Sequence, residues 1–300
     1  MLDPSTMADL APAAGSPFSA TAPATLRMRL GALRLRVRAG LGRGVLPNAL
    51  VIGAAKGGTT SVHRWLSSHP EICGAQEKEV RYFNQNREKG PAWYAARFAP
   101  RRGERIRIEA SPSYMWDPLV PLRVKSLLGA PKLIVLLREP VDRAWSHYWM
   151  SVRLGLHTIS FAEALAREAL WFGPAGAFPA DGSVASAFYM HHSFLGKGVY
   201  APQIQRWLSV FPRRCFHFIR SEDLFRAPGA TLSQLLRFLD LPQLEMGDLR
   251  AHNAGHYPPL DPGLRHQLEP HFAESNARVE ALTGIRWSAS PPAPWSTPRP

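Results

Sequence analysis

Apolar residues fall along this chain in short runs separated by stretches of helical period, and that pattern alone predicts the architecture. Ala49-Leu50-Val51-Ile52 is a compact apolar run closed by Gly53 and reads as a buried strand. Arg105-Ile106-Arg107-Ile108-Glu109 alternates like a second strand. Lys132-Leu133-Ile134-Val135-Leu136-Leu137 is the strongest strand signal, and its continuous apolar run is what a strand covered on both faces requires. Cys215-Phe216-His217-Phe218-Ile219 predicts a further strand. Between them, one helix runs through Trp65 and stops before Pro70. Another opens at Pro140, where the missing N–H does no harm. A third starts at Pro228 and reaches Leu239. Near the end, Asp261-Pro262 reads as an N-cap with a first-turn proline, and Gly284 as a C-cap after Leu282. Strands separated by helices predict an α/β fold whose parallel strands are joined by crossovers.

The chain has 300 residues, of which 45% are hydrophobic, enough to bury a sizeable core. The pattern divides it into a disordered leader over 1–25, a basic amphipathic segment over 26–44, one domain over 45–287 and a Pro-rich irregular tail over 288–300. No internal repeat is evident, no apolar run approaches the length of a membrane span, and the leader lacks the basic start and apolar core of a signal peptide. Cys73 and Cys215 have neither CxxC spacing nor histidines at zinc spacing, so they read as reduced, partly buried thiols. These features predict a cytoplasmic protein.

A formal net charge of +13 points to anionic partners. Between Leu26 and Gly44 stand six arginines (Arg27, Arg29, Arg34, Arg36, Arg38, Arg43) and no acid, with Leu26, Leu30, Leu33 and Val37 at helical spacing. Such a segment either lies on an anionic membrane or packs its stripe on the domain and leaves the arginines in water. Gly31 and Gly40 weaken the helix and favour the second arrangement.

The informative segment is Gly53-Ala54-Ala55-Lys56-Gly57-Gly58-Thr59-Thr60-Ser61. A strand enters it and a helix leaves it, so backbone N–H groups and a helix N-terminus can face an anion. Gly53 and Gly58 keep the glycine spacing of the nucleotide-triphosphatase loop GxxxxGK[ST], but Thr59 stands where its lysine belongs and Lys56 lies inside the loop instead. The loop therefore lacks the lysine of ATP hydrolysis and leaves a cradle for a smaller group. The bland alternative is a tight turn carrying a solvated lysine.

Lys56-Gly57-Gly58-Thr59-Thr60 resembles the 5′-phosphosulfate loop of sulfotransferases that use 3′-phosphoadenosine 5′-phosphosulfate (PAPS), above all the group of heparan sulfate N- and O-sulfotransferases and their bacterial relatives. Further blocks match in order. Glu79-Val80-Arg81-Tyr82-Phe83-Asn84 is similar to that family's catalytic-glutamate segment, and Glu109-Ala110-Ser111-Pro112-Ser113-Tyr114 to its E-x-[ST]-P-x-Y strand end. The stretch from Leu136 through Arg138, Arg143 and Ser146 to Tyr148 is similar to its 3′-phosphate motif, and Tyr200 through Trp207 to Phe211-Pro212 to its Y-x(6)-W-L-x-x-F-P element. The resemblance spans roughly residues 48–287 and implies a P-loop-like central parallel sheet flanked by helices. It implies PAPS as co-substrate, PAP as product, and an acceptor hydroxyl or amine on a small molecule or carbohydrate. Lys56, Gly57, Gly58, Thr59, Thr60 and Ser61 would then hold the 5′-phosphosulfate, with Lys56 meeting leaving-group charge. Arg138 and Ser146 would hold the 3′-phosphate; Arg138 otherwise pairs with Glu139 or Asp142, and Ser146 otherwise faces solvent. Glu79 is the expected base, with Glu77 the alternative and a surface pair with Lys78 or Arg81 the bland reading.

No metal is expected, because neither an Asp pair nor an HExxH is present, and no nucleic acid partner is expected. His191 and His192 read as loop or surface residues. Two departures stand out. Asn253-Ala254-Gly255 replaces a Lys-Gly-Arg nucleotide-covering loop, and Ala110 stands where heparan-type relatives carry lysine. Two rival functions are a nucleotide kinase or NTPase and a non-catalytic basic module for nucleic acid or acidic glycan.

Overall fold

The computed structural model of the protein describes residues 44–173, 186–244 and 255–287, together with 33, 35, 37–42, 176, 178, 247 and 249–252. The leader 1–25, the tail 288–300 and most of the basic segment 26–44 lie outside the described residues. Five strands form one parallel sheet: β1 (Ala49–Gly53), β2 (Ile72–Gly74), β3 (Ile106–Ala110), β4 (Lys132–Leu137) and β5 (Phe216–Arg220), in the spatial order β2-β3-β1-β4-β5. The main helices are α1 (Thr59–Ser67), α2 (Tyr82–Gln85), α3 (Gly90–Ala95), α4 (Val120–Leu128), α5 (Pro140–Arg153), α6 (Phe161–Phe172), α7 (Ser186–His192), α8 (Tyr200–Leu208), α9 (Ser221–Arg226), α10 (Pro228–Phe238) and α11 (Pro262–Thr283). The P-loop-like parallel sheet flanked by helices is thus the fold.

Side-chain alternation explains why β1 and β4 read as unbroken apolar runs. Leu50 and Ile52 join Leu133, Val135 and Leu137 in one core cluster, while Ala49 and Val51 join Ile134 and Leu136 in the other, against Val62, Trp65 and Leu66 of α1. Both faces are covered, so every position must be apolar. Each fully buried leucine contributes about 1.5–3 kcal/mol. The strand β2, only three residues long, was not legible from the sequence, and β3 and β5 begin one residue later than the alternation indicates.

The predicted caps form as hydrogen bonds. Asp261 accepts from the backbone N–H of Leu264 at 2.9 Å, and Gly284, with φ 79°, donates its N–H to Glu280 O at 2.8 Å. Glu139 caps α5 by accepting from Val141 N at 3.1 Å and Asp142 N at 2.8 Å. Arg265 of α11 pairs with both Glu139 and Asp142. Cys73 and Cys215 are free and buried.

In the basic segment, residues 33, 35 and 37–40 are helical; of the stripe, Leu33 is 56% and Val37 52% exposed, while Leu26 and Leu30 lie outside the described residues. Leu35 is buried instead, and Arg38 donates to Phe98 O at 2.7 Å. The helix thus anchors through the opposite face. No helix among the described residues is long and apolar enough to cross a membrane.

Two substitutions separate core from cap. Leu50→Ala in β1 is expected to cost about 2–5 kcal/mol, by lost transfer energy plus a cavity. Asp261→Ala is expected to cost about 1 kcal/mol, the worth of an N-cap. Urea unfolding measures both, and similar costs at the two positions would contradict the sheet-centred core.

Candidate active site

The strand order reverses between β1 and β4, because β2 and β3 lie to one side of β1 and β4 and β5 to the other. In open α/β sheets ligands bind at the carboxyl ends of the strands at such a switch point. A cleft of about 310 Å³ opens there. Five basic side chains (Lys56, Lys78, Arg81, Arg138, Lys197) and one carboxylate, Glu79, line it among the described residues.

The loop after β1 is shaped by packing that only glycine permits. A Cβ on Gly57 would lie 2.8 Å from Leu136 O, and a Cβ on Gly58, whose φ is 96°, would lie 2.8 Å from the Leu224 side chain. Ser221 Oγ donates to Gly57 O at 2.8 Å and Gly57 N–H to Ala54 O at 3.0 Å, which fixes the turn from behind. Lys56 itself has φ 73°. Lys56, Gly58, Thr59 and Thr60 line the cleft. Gly57 and Ser61 stand behind it, and the fully buried Ser61 hydroxyl accepts the N–H of His252 at 2.9 Å. Burial, then the charges of Arg138, Arg153, Arg143 and Lys78, lower the Lys56 pKa to about 8. A site that disfavours its own ammonium is one that an anion stabilises. The tight glycine cradle and this excess of positive charge fit a phosphosulfate.

Arg138 follows β4 directly, is only 7% exposed and lines the cleft; its carbonyl accepts the Tyr200 hydroxyl at 3.0 Å. Ser146, two turns into α5, is buried and lines the same cleft. The structure therefore brings together the two residues expected at a 3′-phosphate.

Glu79 reaches the cleft from the segment before α2. Its N–H donates to Ala110 O at 3.1 Å at the end of β3. The next link is the strand-end block. Glu109, fully buried, accepts from Ser111 Oγ at 2.5 Å, from Tyr114 Oη at 2.7 Å and from the Tyr94 hydroxyl, and Ser111 Oγ accepts the N–H of Arg81 at 3.0 Å. Burial holds the Glu109 carboxyl above the usual range, opposed by the Ser111, Tyr114 and Tyr94 hydrogen bonds. This network fixes the backbone on which Glu79 sits. The Glu79 carboxylate pairs with Lys78 at 2.6 Å and Arg81 at 2.5 Å. Burial pushes its pKa up, but the two cations outweigh that and leave it below the ordinary value. The ion pairs of the bland reading thus form, yet inside the cleft. Glu77 is exposed and lines a second depression with Trp93 and Arg97, which Glu79 also borders, but it does not line the cleft.

Other residues were missed. His191, read as a loop or surface residue, lies on α7 and lines the cleft, while His192 is half-buried on the same helix. Burial first, then neighbouring positive groups, lower both imidazoles to about 4. His147, adjacent to Ser146, is 1% exposed and also reaches the cleft. Trp116, Met190 and Tyr257 form apolar parts of the wall, and Lys197 lines it from a turn between two glycines. A basic residue framed as Gly196-Lys197-Gly198 was a signal available in the chain. Gly255 lines the cleft too, whereas Asn253 and Ala254 of the predicted covering loop lie outside the described residues. No group of three or more potential metal ligands occurs among the described residues.

Known proteins match this arrangement. Residues 46–253 match the Sulfotransferase domain family. A crystal structure of a sulfotransferase from Alicyclobacillus acidocaldarius superposes with a TM-score of 0.68 at 30% identity, covering 81% of this chain and 98% of that one. Heparan sulfate glucosamine 3-O-sulfotransferase 6 of Mus musculus is 32% identical over 77% of this chain and 64% of its own length. Membrane-associated sulfotransferase kil1 of Dictyostelium discoideum is 26% identical over 79% of this chain and 65% of its own length. The chain therefore spans just under two thirds of these two relatives. With the match running from the entry to β1 through the segment that reaches the far wall of the cleft, the chain belongs to the sulfotransferase family.

Proposed function

We propose that the protein transfers a sulfuryl group from PAPS to an acceptor hydroxyl or amine by in-line displacement. The observation that carries this reading is the charge of the cleft: five basic side chains and one acid among the described residues around a glycine-built loop, with the acid, Glu79, paired to Lys78 at 2.6 Å. PAPS, when bound, supplies the activated sulfuryl group. Lys56 faces the charge that develops on the departing 5′-phosphate, helped by loop N–H groups and the Thr59 and Thr60 hydroxyls. Arg138, with its planar fork, and Ser146 hold the 3′-phosphate. Gly57 and Ser61 serve from behind, by shaping the turn. Glu79 takes the acceptor's proton once the acceptor displaces one of its two cationic partners.

A carbohydrate is the first candidate acceptor. The heparan sulfate glucosamine 3-O-sulfotransferases among the relatives favour it, and Trp116 and Tyr257 provide the aromatic faces usual in ligand pockets. Ala110, in place of a lysine, argues for an acceptor less acidic than heparan sulfate.

A second reading concerns location. Leu33, Val37, Leu41 and Val45 recur every fourth residue and are 56%, 52%, 60% and 43% exposed. Residues 26–44 hold six arginines and no acid. Exposed apolar residues beside uniform positive charge fit an anionic lipid surface, so the segment binds the face of a membrane peripherally and places the enzyme there rather than free in the cytoplasm.

Four outcomes test these assignments. PAP should raise the melting temperature more than AMP at equal concentration, and Arg138→Ala should remove most of that difference; equal stabilisation of the wild type by both would exclude the 3′-phosphate assignment. Lys56→Ala should lower PAP release with the best acceptor by about 10²–10³. Glu79→Gln should lower it by about 10²–10⁴ while leaving PAP affinity intact, and Glu77→Gln should be mild; an inactive Glu77→Gln beside an active Glu79→Gln would reassign the base. In flotation assays, the protein should bind vesicles containing phosphatidylserine but not vesicles of phosphatidylcholine alone, and Val37→Asp with Leu41→Asp should abolish binding; undiminished binding by that double variant would refute the lipid-facing stripe.

A further inference from the structure

Lys197 is a buried ammonium for which the fold provides an elaborate mount. It is 3% exposed, lies in the turn Gly196–Gly198, and lines the cleft together with Lys56 and Glu79. Behind the turn, Glu168 of α6 is 2% exposed and accepts the N–H groups of Phe194 at 2.7 Å, Leu195 at 2.8 Å and Gly196 at 2.8 Å, and Ser193 Oγ at 3.0 Å. Arg143, fully buried, donates to Phe194 O, and Gln203 Nε2 donates to Val199 O at 2.9 Å. Neither flanking glycine has room for a Cβ: at Gly196 it would overlap Gly176 O, and at Gly198 it would lie 2.9 Å from the Phe272 ring. The backbone of Lys197 is therefore pinned on both sides.

The ammonium has no carboxylate within ion-pair distance among the described residues; its Nζ donates to Met190 O at 2.5 Å and lies over the Tyr189 ring at 5.9 Å from the centroid. Burial, then Arg143, pull its pKa well below that of ordinary lysine, with Glu168 opposing. A buried, unpaired charge is costly unless something else neutralises it. Lys197 shares one cleft with Lys56, the proposed leaving-group lysine, and Glu79, the proposed base. The group that would pass from the one to the acceptor served by the other is the sulfuryl group.

We propose that Lys197 is a second catalytic cation, whose ammonium contacts the non-bridging oxygens of the sulfuryl group during transfer. The proposal rests on the PAPS reading above. In the step, the S–O bond to the 5′-phosphate breaks with its electron pair staying on the phosphate oxygen, a new bond forms from sulfur to the acceptor oxygen or nitrogen, and the acceptor proton passes to Glu79. Lys197 gives up no proton. It balances negative charge spread over three oxygens in a loose transition state, as cationic clamps do in phosphoryl transfer. Glu168 is the positioning residue that holds it there.

The two ligands PAPS and PAP isolate the contact, since they differ only in the sulfuryl group. Lys197→Met fills the same volume without charge, and Lys197→Arg restores charge. By calorimetry, Lys197→Met should bind PAP within about twofold of wild type and PAPS about tenfold or more weakly, the scale of one charged hydrogen bond. Its rate of PAP release from PAPS should fall by about 10²–10³, with partial recovery in Lys197→Arg. A purely structural lysine, capping Met190 O alone, would weaken PAP and PAPS binding together, and that result would overturn the proposal. So would a variant with wild-type affinities and rate. If Lys197→Met melts well below wild type, Lys197→Gln is put through the same pair of titrations, and an unchanged PAPS-to-PAP ratio there overturns the proposal as well. Wild-type protein that binds neither nucleotide would overturn the co-substrate reading itself, a failure distinct from loss confined to PAPS.

Discussion

Lys56, Lys78, Arg81, Arg138 and Lys197 are held around one cleft whose wall carries a single carboxylate among the described residues, and Arg143 is buried behind it. Like charges brought together under partial burial oppose folding, through desolvation and through mutual repulsion. The depressed pKa values of Lys56 and Lys197 record that opposition. Much of the surrounding structure can be understood as what keeps the cluster in place until an anion relieves it.

The restraints come from outside the cleft. Glu168 binds the turn that carries Lys197, and Arg265 ties α11 to Glu139 and Asp142 at the start of α5, directly after Arg138. Glu109 does the same for the opposite wall, by tying Ser111, Tyr94 and Tyr114 into a network that fixes Arg81 and, through Ala110, Glu79. Each of these acids is buried or partly buried and none lines the cleft. Among the described residues, acids outside the cleft brace the backbone, cations line the cleft, and Glu79 is the carboxylate in its wall. Preorganisation of this kind lets charged groups act on a transition state without rearranging as it forms.

Much of this was legible in the chain because it is local. The apolar runs at 49–52 and 132–137 specify buried strands, since side-chain alternation on a sheet covered on both faces leaves no place for a polar residue. Asp261, Gly284 and Pro140 mark helix ends through hydrogen bonds and torsions that span only a few residues. The loop from Gly53 to Ser61 announced an anion site because strand, glycines and helix are contiguous, and Arg138 and Ser146 were within reach because a helix brings positions two turns apart back to one face.

Tertiary structure decided the rest, for reasons of distance. Lys197, His191 and Trp116 reach the cleft from segments far from the loop in sequence, and apart from the glycines that frame Lys197 nothing in their local pattern separates a cleft residue from a surface one. Glu77 and Glu79, two residues apart, differ in placement only through the fold: the N–H of Glu79 bonds Ala110 O and its side chain lines the cleft, whereas Glu77 is exposed. In the basic segment, period fixes only which residues share a face, and the packing of Leu35 leaves Leu33 and Val37 looking outward. Sequence determined the sheet, its caps and the phosphate loop, because these depend on neighbours along the chain; the makeup of the cleft depends on neighbours in space.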